Sequence, residues 1–291
     1  MSDKGAIPLP FMTLFTVPKS FDWTVAWDDW GSVTRIQDWA LTSWGATGAE
    51  IIALGHEAEE EDWIYHEKFW RNPNGVIDHQ YIGHWGGEVE RNIYGTPLLS
   101  DIFKKAQEQA AFNIVGYVNA DIWLLDDFME AVKVCADVFP HFLMVGQRLN
   151  VDVHVAHQIF GPAHAEFAQT VRDSVRAGST EYGTLEGIGS SDYFVFRKGD
   201  LGDIPPYALG RFRFDNALMA RAINRGMALV DVTEAVLALH PHHPPMPRVE
   251  GDAELHANDK LVGENEGWLG RLTDATHYLT ADFELRERVK A

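Results

Sequence analysis

The sequence predicts an α/β sandwich, with helices around a mainly parallel, mixed sheet. Short apolar runs that suit buried strands alternate along the chain with amphipathic stretches at helical spacing. No linker rich in proline, glycine or serine divides the 291 residues, and 46% of them are apolar. We therefore expect a single domain with a substantial core, and we exclude a largely disordered chain.

The predicted strands are short apolar runs bounded by loop signals. The first, 12–16, is followed by Pro18, which suits a buried strand that enters a loop. The remaining predicted strands have the same character and span 50–55, 113–118, 142–146, 193–196 and 228–230.

The predicted helices lie between these strands. The first, 33–44, carries an apolar stripe at helical spacing and is closed by Gly45 and Gly48. The second opens at Thr96, a good N-cap, with Pro97 as its first helical residue. Three further amphipathic helices are predicted over 126–138, about 165–177 and 215–225.

The charge of the chain excludes some functions. With 24 Lys and Arg against 43 Asp and Glu, the net charge is −19. General nucleic-acid binding needs a basic surface and is disfavoured, as is attraction to anionic membranes. A single nucleotide is still compatible with this charge, because a metal ion and helix N-termini can supply a local positive field.

Cysteine content and the terminus indicate a compartment. The single cysteine, Cys135, rules out an intramolecular disulfide and lies in an apolar stretch typical of a buried thiol. The N-terminus does not resemble a signal peptide, and no apolar run approaches the roughly 18–20 residues of a membrane span. The expectation is a soluble cytoplasmic protein with no transmembrane segment.

Asp121 is the first candidate site residue. The strand 113–118 runs directly into Asn119-Ala120-Asp121, and open α/β sheets bind ligands at the carboxyl ends of their strands. A carboxylate at that edge can hold a divalent cation that bridges a diphosphate. The alternative is that Asp121 begins a turn or caps the next helix, although Asp126 and Asp127 are better placed to cap it.

Several short segments occur in a characteristic order: 16–19, 90–97, 117–122, 191–196, 204–211 with 214–216, 238–240 with His243, and 274–277. Together they resemble the nucleotide-sugar glycosyltransferases of the GT-A fold, of a family-2-like kind. The resemblance extends from about residue 12 to residue 277. It implies transfer of a sugar from a nucleoside diphosphate sugar to a hydroxyl on a glycan, a lipid-linked sugar or a small molecule.

The resemblance also implies a metal site. In that family an Asp-x-Asp motif binds Mn²⁺ or Mg²⁺ and the diphosphate of the donor. The matching segment here is Asn119-Ala120-Asp121, so Asp121 must carry most of the metal binding, and Asn119 can bond to ribose or sugar hydroxyls. His240 and His243 match the family's pattern and would add imidazole ligands. The alternative for the histidines is a surface loop.

Donor-binding residues are implied on the N-terminal side. The loop Thr16-Val17-Pro18 resembles the family's nucleotide-binding turn, and Arg91 is placed to meet the diphosphate or the base. The alternative for Arg91 is an ion pair with Glu88 or Glu90. Thr96 would open a helix whose amides face an anion.

These assignments divide the single catalytic domain 1–291. A lead-in spans 1–11, a nucleotide-binding half about 12–121, an acceptor half about 122–243, and a C-terminal loop and helix 244–291.

Two aspartates are candidates for the general base. Inverting sugar transfer needs a carboxylate that takes the acceptor's proton, and the resemblance puts Asp215 in that position. The alternative for Asp215 is a helix N-cap. Asp192, at the start of a predicted strand, is the second candidate and could instead orient sugar hydroxyls.

Ten tryptophans are many for this length. Sugars can stack on such rings, but core and surface packing accounts for most of them. They crowd two segments: Trp23, Trp27, Trp30, Trp39 and Trp44, then Trp63, Trp70 and Trp85.

Two alternative functions remain at this point. A sugar-nucleotidyltransferase would carry an early glycine-rich loop with basic residues. The segment 12–31 contains one glycine, Gly31, and one basic residue, Lys19. A non-catalytic carbohydrate- or nucleotide-binding module would keep the fold without turnover.

Overall fold

The computed structural model describes residues 11–19, 31–55, 83–159, 164–243 and 251–289. Within these ranges a nine-stranded sheet is flanked by helices, which is the predicted fold class. The strands are β1 (Met12–Thr16), β2 (Glu50–Ala53), β3 (Gly83–Trp85), β4 (Ile114–Val118), β5 (Phe142–Val145), β6 (Leu149–Val151), β7 (Gly183–Leu185), β8 (Tyr193–Arg197), β9 (Ala228–Asp231), β10 (Leu239–Pro241), β11 (His277–Leu279) and β12 (Leu285–Glu287).

The large sheet is mixed but mainly parallel. Its order is β12-β11-β9-β5-β8-β4-β1-β2-β3. Only β8, which is antiparallel to both β4 and β5, and the terminal β12 break the parallel pairing. A second sheet has three strands in the order β10-β6-β7.

Helices pack on both faces of the large sheet. They are α1 (Val33–Ala46), α2 (Leu99–Gln109), α3 (Asp126–Val138), α4 (Val153–Ile159), α5 (His164–Arg176), α6 (Phe214–Asn224) and α7 (Gly251–Asn265). Alternate residues of β4 divide between the two cores, because successive side chains of a strand point to opposite faces. Ile114 and Val118 face the core under α1, α3, α4 and α5, and Val115 and Tyr117 face the core under α2, α6 and α7.

Most predicted elements are confirmed to within two residues at each end. Cys135 is buried as expected, and burial raises the pKa of its thiol to about 12. Trp44 and Trp123 are fully buried in the core. Trp23, Trp27, Trp30, Trp63 and Trp70 lie outside the described residues. None of the described helices combines the length and apolar character that a membrane crossing needs.

The predicted opening of a helix at Thr96 is wrong. Helix α2 begins at Leu99, and its N-cap, Leu98, makes no side-chain capping bond. Residues 97 and 98 instead form isolated β-bridges to Arg91 and Ala208. These long-range pairings hold the backbone extended past Pro97, so the local preference of Thr96-Pro97 for a helix start is overridden.

The expected capping by Asp126 and Asp127 is also wrong. The N-cap of α3 is Leu125, and it makes no side-chain capping bond. Asp127 instead forms an ion pair with Arg172 and accepts a bond from the amide of Leu237. Its carboxylate therefore ties three segments together.

Candidate functional site

The site lies where parallel strands end at one edge of the sheet. Strands β1, β2 and β4 are mutually parallel, in the order β4-β1-β2. Their carboxyl ends continue into the Thr16–Lys19 loop, Gly55 and Asn119-Ala120-Asp121, respectively. These three segments therefore leave the sheet on the same side.

Asp121 faces the two histidines that the resemblance singled out. Its Oδ2 lies 3.4 Å from His243 Nε2 and 3.8 Å from His240 Nε2. Potential ligand atoms of the three residues lie within 4.8 Å of one another, and no other such group occurs among the described residues. His240 lies within β10, and His243 follows that strand.

The chemistry of this cluster fits a divalent cation. Asp121 Oδ1 is buried and has no hydrogen-bond partner among the described residues. The two N–O separations exceed the 2.7–3.2 Å typical of hydrogen bonds. Two ligand atoms that share one cation, each about 2.0–2.2 Å from it, are spaced by roughly 3–4 Å. One carboxylate with two imidazoles is a donor set that suits Mn²⁺, Zn²⁺ and similar ions.

Asp121 is held in its charged form. Burial by itself raises the pKa of the carboxyl, but the imidazoles of His240 and His243, together with the charge of Lys19, keep it well below its usual range. A ligand carboxylate must be deprotonated to bind a cation.

Lys19 brings a further positive charge to this edge. Its Nζ lies 4.0 Å from Asp121 Oδ2, and its side chain is 41% exposed. The Gln37 side chain of α1 fixes the backbone of Lys19 by accepting from its amide at 2.6 Å and donating to its carbonyl at 3.3 Å. Sequence reasoning missed Lys19 as a site residue. The available signal was its position as the first cationic residue after β1.

The side chain of Asn119, two residues before Asp121, bonds to Asp192 and to Tyr117. Its Nδ2 donates to Asp192 Oδ1 at 2.5 Å, and its Oδ1 accepts from the Tyr117 hydroxyl at 2.8 Å. Arg148 Nη1 lies 2.8 Å from the second oxygen of Asp192. Burial raises the pKa of Asp192, Arg148 opposes that shift, and the charge of Asp121 adds to it. Both oxygens of Asp192 are therefore occupied.

Asp215 has a different environment. It lies in the first turn of α6, and its Oδ1 accepts from the amide of Asn216 at 2.9 Å. Burial raises its pKa to about 6, the bond from the Asn216 amide opposes this, and the charge of Asp192 adds to it. The backbone of Ser191, the neighbour of Asp192, also bonds to this carboxylate. Asp215 thus lies beside the segment that carries Asp192. None of the groups that shift its pKa most is basic.

The loop that leads to α6 and Asp215 is held by α7. Asn258 bonds to both backbone groups of Ala208, at 2.8 and 3.1 Å. The buried Glu254 accepts from Arg211 Nε at 2.5 Å. Arg213, directly before α6, adopts φ 83° and pairs with Asp259 at 2.7 Å. A left-handed non-glycine residue costs about 1–3 kcal/mol, and such strain is often found at functional sites.

The two donor-side candidates Arg91 and Thr96 have different surroundings. Arg91 donates to the carbonyls of Gly55 and Gly95, at 3.0 and 2.9 Å. No ion pair of Arg91 with Glu88 or Glu90 occurs among the described residues. Gly55, at φ 94°, packs between Val17 and Arg91, so Arg91 lies beside the loop that follows β1.

Thr96, the other donor-side candidate, contacts the loop that precedes α6. It is buried, and its hydroxyl accepts from Arg211 Nη2 at 3.3 Å. The amides of residues 98 and 99, near the start of α2, donate to Glu90 and Tyr207 carbonyls. These two amides are therefore not available to an anion, contrary to the expectation from a helix that opens at Thr96.

Comparison with known proteins adds similarities of fold. No family model matches the sequence, and no curated protein matches it. TarS from S. aureus, solved with UDP-GlcNAc, is 11% identical over 88% of this chain and 71% of its own, with a TM-score of 0.47. Glucosyl-3-phosphoglycerate synthase from Mycobacterium tuberculosis, solved with Mn²⁺ and UDP-glucose, is 9% identical over 96% and 86%, with a TM-score of 0.44.

A nucleotidyltransferase is also similar. The 4-diphosphocytidyl-2C-methyl-D-erythritol synthase from Anaerococcus prevotii is 7% identical over 87% of this chain and 98% of its own, with a TM-score of 0.42. The three neighbours thus include both glycosyltransferases and a nucleotidyltransferase. At these identities the likeness assigns no activity to this chain.

Proposed function

We propose that this chain is a glycosyltransferase that moves a sugar from a nucleoside diphosphate sugar to a hydroxyl acceptor, with inversion at the anomeric carbon. The acceptor is a glycan, a lipid-linked sugar or a small molecule. The observation that carries the proposal is the cluster of Asp121, His240 and His243 at the carboxyl edge of the parallel strands, with Lys19 beside it. A cation bound in this cluster, together with Lys19, would give an acidic chain the local positive charge that a diphosphate requires.

The donor is proposed to lie along the ends of β1 and β4. The Thr16-Val17-Pro18 loop and Arg91 contact the nucleoside side, and Lys19 contacts the diphosphate. Asp121, His240 and His243 would hold Mn²⁺ or Mg²⁺, of which Mg²⁺ is the poorer match to two imidazoles, and the cation would supply positive charge toward the leaving diphosphate.

Asp215 is the proposed general base. It accepts the proton of the acceptor hydroxyl while that oxygen forms a bond to the anomeric carbon and the bond to the diphosphate oxygen breaks. A carboxyl with a pKa of about 6 is a stronger base than an ordinary aspartate and is still ionised at neutral pH. Asp192 is proposed to orient sugar hydroxyls, because Asn119 and Arg148 fix the direction of its carboxylate while each oxygen keeps a further lone pair for a hydroxyl.

The first test is a thermal-shift panel of UDP-, GDP- and dTDP-sugars, each with and without Mn²⁺. We expect one nucleotide class to raise the melting temperature, with a larger shift when Mn²⁺ is present, because a ligand that binds only the folded state stabilises it. No shift with any donor would overturn the donor proposal.

Product analysis separates the alternatives. A glycosyltransferase releases a nucleoside diphosphate from the stabilising donor. A nucleotidyltransferase, given a nucleoside triphosphate and a sugar phosphate, releases pyrophosphate. Stabilisation without either product would favour a binding module.

Lys19 permits a separate prediction. We expect Lys19→Ala to weaken donor affinity about tenfold, because a charge-assisted contact to the diphosphate is lost. Mn²⁺ affinity without donor should not fall, since Lys19 is a cation next to the metal ligands. Isothermal titration calorimetry measures both. Lys260→Ala, at an exposed lysine of α7, is the matched control. Donor affinity equal to that of the unaltered protein would exclude Lys19 from the site.

A further inference from the structure

The small sheet places a second polar group behind His240. In the register of β6 and β10, Asn150 lies directly beside His240. His240 Nδ1 is 3.0 Å from Asn150 Oδ1, and the same oxygen accepts from Arg148 Nε at 3.0 Å. Asn150 Nδ2 donates to Glu186 Oε2 at 3.1 Å, and Arg148 Nη2 donates to that oxygen at 3.0 Å. None of these contacts involves Asp121.

The partners of Asn150 determine how its amide is oriented. Arg148 can only donate hydrogen bonds, so the atom of Asn150 that faces it must be the carbonyl oxygen. Glu186 forms an ion pair with Arg148 at 3.0 Å, independently of how the Asn150 amide is turned, and is therefore ionised. An ionised carboxylate can only accept, so the amide NH₂ must face Glu186. A flipped amide would break both contacts.

This orientation selects the tautomer of His240. Because Asn150 presents an acceptor to Nδ1, that nitrogen must carry the hydrogen. In the neutral ring Nε2 then has the lone pair, and it is Nε2 that faces Asp121 at 3.8 Å. A neutral imidazole with Nδ1 protonated is the form that can donate its Nε2 lone pair to a cation.

The same group reaches Asp192. Arg148 binds Asn150 through Nε and pairs with Asp192 through Nη1 at 2.8 Å. Its side chain is 21% exposed and that of Asp192 10%. One guanidinium therefore orients both the amide that holds His240 and the carboxylate bonded to Asn119. The planar, always charged fork of arginine can hold two such partners in fixed directions, which lysine cannot do.

We propose that Asn150 and Arg148 are positioning residues. Asn150 holds His240 in the cation-binding tautomer, and Arg148 links Asn150 to Asp192. This inference rests on the proposed function, since it concerns the same metal site. Neither residue belongs to the cluster of Asp121, His240 and His243. Their effect is exerted through His240 and Asp192.

The test measures Mn²⁺ binding by isothermal titration calorimetry, without donor or acceptor. Asn150→Ala should weaken Mn²⁺ affinity about 10–100-fold, the usual cost of losing such an outer partner. The double variant Asn150→Asp with Glu186→Gln exchanges the carboxylate and the amide, so the acceptor next to His240 Nδ1 is kept. It should recover most of the affinity. Side-chain ¹⁵N shifts of the histidines report the His240 tautomer independently.

Controls separate positioning from folding. Asn224→Ala alters an asparagine at the end of α6 whose side chain bonds to Glu266, and it should bind Mn²⁺ normally. If Asn150→Ala fails to fold, the similarly sized Asn150→Leu provides the test, because it offers His240 Nδ1 no acceptor and should also weaken Mn²⁺ binding. Unchanged affinity in the Asn150 variant, or no recovery in the exchanged pair, would overturn the inference alone. If the unaltered protein binds no Mn²⁺, the metal part of the proposed function fails with it.

Discussion

Replacement of Asp215 by asparagine is expected to lower turnover about 10²–10⁴-fold, with donor affinity little changed. A positioned general base contributes a factor of this size, and asparagine has nearly the same shape but cannot accept the proton. Release of the nucleoside diphosphate under saturating donor and acceptor measures the loss, and calorimetry measures donor affinity. Full turnover by this variant would show that Asp215 is not the base.

The pH profile gives an independent check of the same residue. The base must be deprotonated, so kcat/KM should rise with pH through about 6, the pKa to which burial raises Asp215, and then level off. The residual activity of Asp215→Asn should lack this limb.

The contribution of Asp215 to the stability of the folded protein should fall as pH rises, opposite to the change in kcat/KM. A carboxyl pKa raised by folding means that the folded state binds the proton more tightly. The stability from this group is then present at low pH and lost as pH rises from about 4 to about 6. At pH 7.5 Asp215→Asn should therefore unfold at a temperature no lower than the unaltered protein. A markedly lower value would indicate that Asp215 mainly stabilises the first turn of α6, whose N-cap is Arg213 rather than Asp215.

Asp121→Asn is expected to abolish the metal-dependent part of donor binding and to lower turnover about 10³-fold. The substitution keeps the shape of the side chain but removes the only carboxylate of the cluster, and cation stabilisation of a leaving group is worth several kcal/mol. The thermal shift with donor should become independent of Mn²⁺. This loss differs from that of Lys19→Ala, which should spare Mn²⁺ binding.

The matched control is Asp126→Asn, an exposed aspartate at the start of α3. It lowers the acidity of the chain by the same amount and should keep the full Mn²⁺ response. If Asp121→Asn retains that response, the cation is held elsewhere or is not required.

Much of the site could be located from sequence because it depends on local patterns. Asp121 follows an apolar strand, and polar residues at the carboxyl ends of parallel strands meet at one sheet edge. Asp215 follows an irregular segment and begins an amphipathic helix. The place of Asp121 needs only the order of strands and helices, which the period of the apolar residues indicates, whereas the roles predicted for Asp215, His240 and His243 were implied by the family resemblance.

The roles of Thr96, Asn150 and Lys19 could not be found in this way. Thr96 and Pro97 have the local signature of a helix start, yet pairing with Arg91 and Ala208 decides their conformation. Asn150 belongs to a three-residue strand, too short to show a period. Lys19 becomes a site residue only because Gln37, from the next helix, holds its backbone near Asp121.

By itself the sequence determined the α/β class, the order of most strands and helices and the burial of the apolar faces. These follow from hydrophobic periodicity, which acts over a few residues at a time. Only the tertiary structure decided which polar groups face one another. Asp121 and His243 are far apart along the chain, and Asn150 meets His240 through the pairing of β6 with β10. Contacts of this kind depend on sheet order and register, which short-range patterns do not contain.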